Sequence, residues 1–135
     1  MAVENTCSIL LVDDDRSWQN INKIVLQKHG YKIDIASTKE EAIRKILVNK
    51  YEIAVIDLRL IDDDQSNFDG IEIIEELRKR NPDTRILVKS GFLNPHVESE
   101  LNALGLSKKD VFEKSTTNNA LAERINQIHQ DIKHG

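Results

Sequence analysis

The sequence predicts a doubly wound α/β fold, with five parallel strands in the order 2-1-3-4-5 and helices on both faces of the sheet. Two observations carry this. Short apolar runs rich in β-branched residues recur at Ser8–Val12, Tyr31–Ala36, Ile53–Asp57, Arg85–Ser90 and Val111–Glu113, and each is followed by a stretch with helical periodicity. The alternation is strict, which favours a parallel sheet joined by right-handed crossovers. The second run, Tyr31-Lys-Ile-Asp-Ile-Ala36, alternates polar and apolar and belongs at an edge. The strand order then reverses between strands one and three, the position where open α/β sheets bind ligands.

Strand one, Ser8–Val12, reads as buried on both faces and ends in Asp13-Asp14-Asp15. Helix one runs from about Arg16 to His29, with Asp15 as N-cap and Gly30 as the stop signal. Its apolar residues are Trp18, Ile21, Ile24 and Val25. Ser37 and Glu40 have the spacing of a capping box for helix two, which carries Ala42, Ile43, Ile46 and Leu47 to about Asn49. Strand three, Ile53–Asp57, is too short and β-branched for a helix. An irregular acidic stretch, Leu58–Asp69, follows with Asp62-Asp63-Asp64 inside it, read as a solvated loop. Helix three starts near Asp69-Gly70, packs Ile71, Ile74 and Leu77, and ends at Pro82. Strand four contains Lys89, which is placed at the strand end with its ammonium reaching solvent. Asn94-Pro95 is an N-cap followed by proline at the first helical position, so helix four begins there and packs Val97, Leu101 and Leu104. Thr116 or Thr117 caps helix five, whose face is Leu121, Ile125, Ile128 and Ile132.

The 135 residues suit a single domain with a core of about residues 7–132 and no output domain within it. Lys plus Arg is 19 and Asp plus Glu is 23, a net charge of -4. That balance argues against direct nucleic-acid binding, which needs a basic surface. No apolar run approaches the roughly 20 residues of a membrane span, and the N-terminus lacks the pattern of a signal peptide. The single cysteine, Cys7, cannot form an internal disulfide; it is expected to pack at the start of strand one in a cytoplasmic protein. His29, His96, His129 and His134 are scattered and read as surface or capping residues.

The predicted topology brings Asp13, Asp14 and Asp57 to one crevice. Crowded carboxylates repel one another unless a cation compensates them. An all-oxygen donor set suits magnesium, with manganese as the alternative, rather than zinc. A carboxylate beside such an ion can act as nucleophile toward a phosphoryl group. Lys114 after strand five and the Ser90 hydroxyl after strand four then offer a fixed cation and a donor for the phosphoryl oxygens.

With Leu-Leu-Val-Asp-Asp-Asp15, Val-Ile-Asp57-Leu-Arg-Leu, Ser90-Gly91 and Lys114 at successive strand ends, nearly the whole chain resembles the receiver domain of two-component response regulators. The resemblance implies the CheY-like, flavodoxin-type (βα)5 fold and a signalling domain rather than an enzyme. It makes Asp57 the phosphoacceptor and Lys114 and Ser90 its partners, with the Gly91 backbone amide facing the phosphoryl group. It gives the metal site to Asp13, Asp14, Asp57 and the Arg59 backbone carbonyl. The donor would be a sensor histidine kinase or a histidine phosphotransfer protein. Output would pass through the face of helix four, strand five and helix five to a downstream protein or to a second copy in a phosphorylation-dependent homodimer.

The sequence departs from the family pattern at several points. Ser115 stands where a proline usually follows the lysine, which weakens the expectation of a cis turn. Val111 occupies the usual aromatic switch position, with Phe112 next to it. The loop between Asp57 and Gly70 is longer than usual and lacks the proline expected after Leu60. Arg59 and Phe92 occupy the two positions that tune loss of the phosphoryl group, and a bulky Phe92 predicts a long-lived phosphoryl state. Two rival readings stay open: a pseudo-receiver that binds without phosphorylation, and an aspartyl-nucleophile phosphohydrolase of the haloacid dehalogenase type. Asp13 and Asp15 have the Asp-x-Asp spacing of the latter, without its following Gly-Thr.

Overall fold

Packing of apolar strands between two helical layers gives a five-stranded parallel sheet in the order β2-β1-β3-β4-β5. The computed structural model describes residues 7–58, 69–91 and 95–134. The strands are β1 (Ser8–Val12), β2 (Lys32–Ala36), β3 (Ile53–Asp57), β4 (Arg85–Ser90) and β5 (Val111–Glu113), and the helices are α1 (Arg16–Lys28), α2 (Lys39–Val48), α3 (Asp69–Arg80), α4 (Pro95–Ala103) and α5 (Asn118–His134). A single 3-10 turn, Lys108–Asp110, leads into β5. Strands one, three, four and five have the predicted bounds; β2 begins at Lys32 rather than Tyr31.

The central strands are apolar on both sides because each side meets helices. Every residue of β3 is buried. Successive side chains feed two separate cores. Leu10, Val12, Ala54, Ile56 and Val88 pack with Ile46, Ile74 and Leu101 on one face. Ile9, Leu11, Ile53, Val55 and Leu87 pack with Leu26, Leu121 and Ile125 on the other. Phe112 is buried in the second core, with Val111 half-buried against the first.

Three local readings are corrected. In α1 the buried residues are Gln19, Asn22 and Leu26, whereas Ile21 and Ile24 are 47% and 55% exposed. The inward polar side chains have partners: Asn22 Nδ2 donates to the Trp18 carbonyl at 2.9 Å and to Asn118 Oδ1 of α5 at 3.0 Å. In α2 the N-cap is Thr38, whose hydroxyl accepts the Glu41 amide at 3.1 Å. The Glu41 carboxylate reaches back to the Ser37 amide at 2.8 Å. The cap therefore sits one residue later than the Ser37–Glu40 pairing, and Leu47 faces outward, 50% exposed. The third correction, Lys89, belongs to the site described below. Asp15 and Thr117 cap α1 and α5, accepting the amides of Trp18 and Ala120 at 3.1 Å each.

Candidate functional site

The carboxyl ends of β1 and β3 lie side by side, with Val12 opposite Ile56. Asp13 and Asp57 therefore emerge together at the reversal of strand order. Both are almost fully buried, while Asp14 is exposed. One carboxylate oxygen from each of Asp13, Asp14 and Asp57 lies within 4.8 Å of the others. The set contains only hard oxygen donors, which fits Mg2+ or Mn2+ and not a sulfur- or imidazole-preferring ion.

Asp13 is held from several sides. Its Oδ1 accepts the Asp15 amide at 2.9 Å, its amide donates to the Ala36 carbonyl at 3.1 Å, and its carbonyl accepts from the Gln19 side chain. The same Gln19 Nε2 reaches Ser37 Oγ at 3.0 Å. Gln19 was not anticipated as part of this edge. A polar residue at i, i+3 and i+7 spacing with Asn22 and Leu26 was the available signal, obscured by the more conspicuous isoleucines.

Lys89 is the larger departure. It does not reach solvent: it is 6% exposed. It shares the face of Leu87, and its ammonium pairs with Asp13 Oδ2 and lies 4.1 Å from the centroid of the Trp18 ring. The lysine that looked out of place in an apolar strand is an internal cation of the acidic edge.

The neighbouring strand ends bring the remaining residues. Asp57 and Lys89 are paired in register, as are Ser90 and Glu113, so Ser90 and Lys114 follow at adjacent strand ends. Ser90 is buried and Lys114 exposed. A Cβ added at Gly91 would lie 3.0 Å from Lys114 Cδ and 3.3 Å from Cε, so the lysine stem runs over the Gly91 backbone. The described peptide bonds contain no cis bond, including Lys114–Ser115. Behind Asp57, the start of α3 approaches the chain closely: Gly70 N donates to the Leu58 carbonyl at 3.2 Å. Arg59, Asp62, Asp63, Asp64, Phe92 and Asn94 lie outside the described residues.

The family model for the response regulator receiver domain matches residues 9–126. The chain belongs to that family. This receiver domain is 34% identical over 107 residues to the acid tolerance regulatory protein ActR of Rhizobium meliloti, covering 79% of this chain and 52% of ActR. It is 40% identical over 86 residues to the photosynthetic apparatus regulatory protein RegA of Rhodobacter capsulatus, covering 63% of this chain and 44% of RegA. The chain thus spans about half the length of these curated relatives. Among solved structures, the CheY-like receiver domain protein of Methanospirillum hungatei superposes with a TM-score of 0.81 at 25% identity, covering 96% of this chain and 99% of that one. Receiver domains as a family bind Mg2+ at an acidic pocket and interact with histidine kinases, and the acidic cluster here is Asp13, Asp14 and Asp57.

A second cluster lies apart from the pocket. Cys7, Glu52 and His129 also offer ligand atoms within 4.8 Å of one another. Burial and the adjacent Glu52 carboxylate push the Cys7 thiol up to about 12, so it stays protonated and hydrogen-bonds to Glu52. His129 is half-buried and makes a T-shaped ring contact with Tyr31. Among the described residues no helix is long and apolar enough to cross a membrane.

Proposed function

We propose that this receiver accepts a phosphoryl group on Asp57 from a phosphohistidine of a sensor kinase or phosphotransfer protein. The observation that carries this reading is the convergence of the Asp13, Asp14 and Asp57 carboxylates within 4.8 Å at the switch point of the sheet. In the reaction an Asp57 oxygen attacks phosphorus. The P–O bond forms as the P–N bond to the donor imidazole breaks, and the electron pair leaves with the imidazole nitrogen. The product is an acyl phosphate on Asp57.

Asp13, Asp14 and Asp57, together with the Arg59 carbonyl, are the residues that would hold a divalent ion. Such an ion, when bound, neutralises charge developing on the phosphoryl oxygens. The Lys114 ammonium pairs with one phosphoryl oxygen, its stem guided over Gly91. The Ser90 hydroxyl and the Gly91 amide donate to others. Gln19 keeps the Asp13 backbone in place through its carbonyl. Phosphorylation then biases the receiver between two states, read out on the face of α4, β5 and α5 by a downstream protein or a second copy. With Phe112 buried in the core, the readout does not run through a surface aromatic at that position.

Intact-protein mass after incubation with acetyl phosphate and Mg2+ tests the reading. One phosphoryl adduct is expected, absent without Mg2+ and absent in Asp57→Asn. No adduct on a protein that binds Mg2+ would replace the reading with that of a pseudo-receiver.

A further inference from the structure

The internal cation bears directly on how this pocket takes a divalent ion. Both carboxylate oxygens of Asp13 are engaged: Oδ1 by the Asp15 amide at 2.9 Å and Oδ2 by the Lys89 ammonium. Asp13 is 1% and Lys89 6% exposed. Lys89 starts from β4, two strands away from β1 in the sheet, so its stem reaches past β3 to meet Asp13. The ammonium also lies over the Trp18 ring, 4.1 Å from the ring centroid, an arrangement that favours a cation once it is desolvated. Every described buried side-chain nitrogen and oxygen has a partner, so the pairing completes the packing of this edge.

We propose that Lys89 is a resident cation of the acidic pocket that competes with the divalent ion for Asp13 and lowers the affinity of the receiver for that ion. The inference rests on the reading of Asp13, Asp14 and Asp57 as the metal site. A metal drawing on Asp13 must share a carboxylate with the ammonium or displace it. In a buried site, where charges are weakly screened, two cations on one carboxylate repel strongly. Lys89 therefore holds Asp13 in place when the metal is absent and opposes the metal when it arrives. Asp14 and Asp57 supply the other carboxylates of the set. Displacement moves the ammonium off the Trp18 ring, and Trp18 is the only tryptophan in the chain, so the exchange has a built-in fluorescent reporter.

The test is Mg2+ affinity by isothermal titration calorimetry on the full chain as wild type, Lys89→Met and Lys89→Arg, with Trp18 emission followed in parallel. Lys89→Met is expected to bind Mg2+ at least about tenfold more tightly, Lys89→Arg to stay near wild type, and wild-type Trp18 emission to change along the calorimetric isotherm. A folded Lys89→Met protein with unchanged or weaker affinity overturns the proposal. If that variant does not fold, wild-type Trp18 emission that is unaltered at saturating Mg2+ overturns it instead. Mg2+ uptake by wild type that is abolished in Asp14→Asn keeps the metal-site reading standing even when the Lys89 proposal fails. Uptake by neither wild type nor Lys89→Met removes both.

Discussion

A Cβ added to Gly70 would lie 2.6 Å from the Leu58 carbonyl oxygen and 2.7 Å from that of Asp57. Both obstacles are backbone, so no rotamer change relieves them. Gly70→Ala is expected to cost about 1–3 kcal/mol in urea denaturation and to slow phosphoryl uptake, because the chain that must shift carries Asp57. Cys7 gives a second residue-level expectation. It is buried and its thiol is pushed up to about 12, so iodoacetamide should label it only after denaturation, as read by mass. At this scale the sequence reports chemistry better than partnership. The positions of Asp13, Asp14, Asp57, Ser90 and Lys114 were legible because each ends or closely follows a strand. Lys89 and Gln19 were not, because their roles depend on Asp13 and on the Trp18 ring, contacts from distant parts of the chain that periodicity does not encode.

The elements were legible where a breaker or a cap is unambiguous. Asp15, Gly30, Pro82 and Thr117 mark boundaries that the structure keeps to within about two residues. In α2 two registers compete, since Ser37-Thr38 precedes and Glu40-Glu41 follows at the same spacing. The observed cap on Thr38 goes with burial of Ala42 and Ile46. Thr38→Ala is therefore expected to cost about 1 kcal/mol of stability in denaturant unfolding. Ser37→Ala keeps the amide that donates to Glu41 and removes only the Gln19 Nε2–Ser37 Oγ bond, so it should leave the α2 cap intact. In α1 the apolar count was right for Trp18 and Val25, which pack against the second core, and wrong for Ile21 and Ile24. Gln19 and Asn22 turn inward because Asp13, just past β1, and Asn118 of α5 supply hydrogen-bond partners there, and a buried polar group with a partner is tolerated. Ile21 and Ile24 are left outside.

For the molecule as a whole, alkaline pH is the weak flank. Burial raises Tyr31 and Tyr51, and burial with Glu52 raises Cys7 from 9.0 to about 12. The unfolded chain loses these protons first, so above pH about 9 it binds fewer protons than the native state and stability falls with rising pH. The contribution is intact below that point and is lost progressively as pH approaches the native values. The urea midpoint should drop between pH about 8 and about 11, and Cys7→Ser should flatten the first part of the decline. One remote contact also has a mechanical meaning. Arg78 Nε on α3 donates to the Leu104 carbonyl at 2.9 Å, just past the last residue of α4. Leu101 and Leu106 are buried at the same end. The helix is thus tethered at the end far from Ser90. Nine residues make it a lever of about 14 Å, and a rotation of roughly 10° about that fulcrum carries the near end by about 2 Å. On the function proposed above, a displacement begun beside the serine is expected to be largest at the near tip and smallest at Arg78.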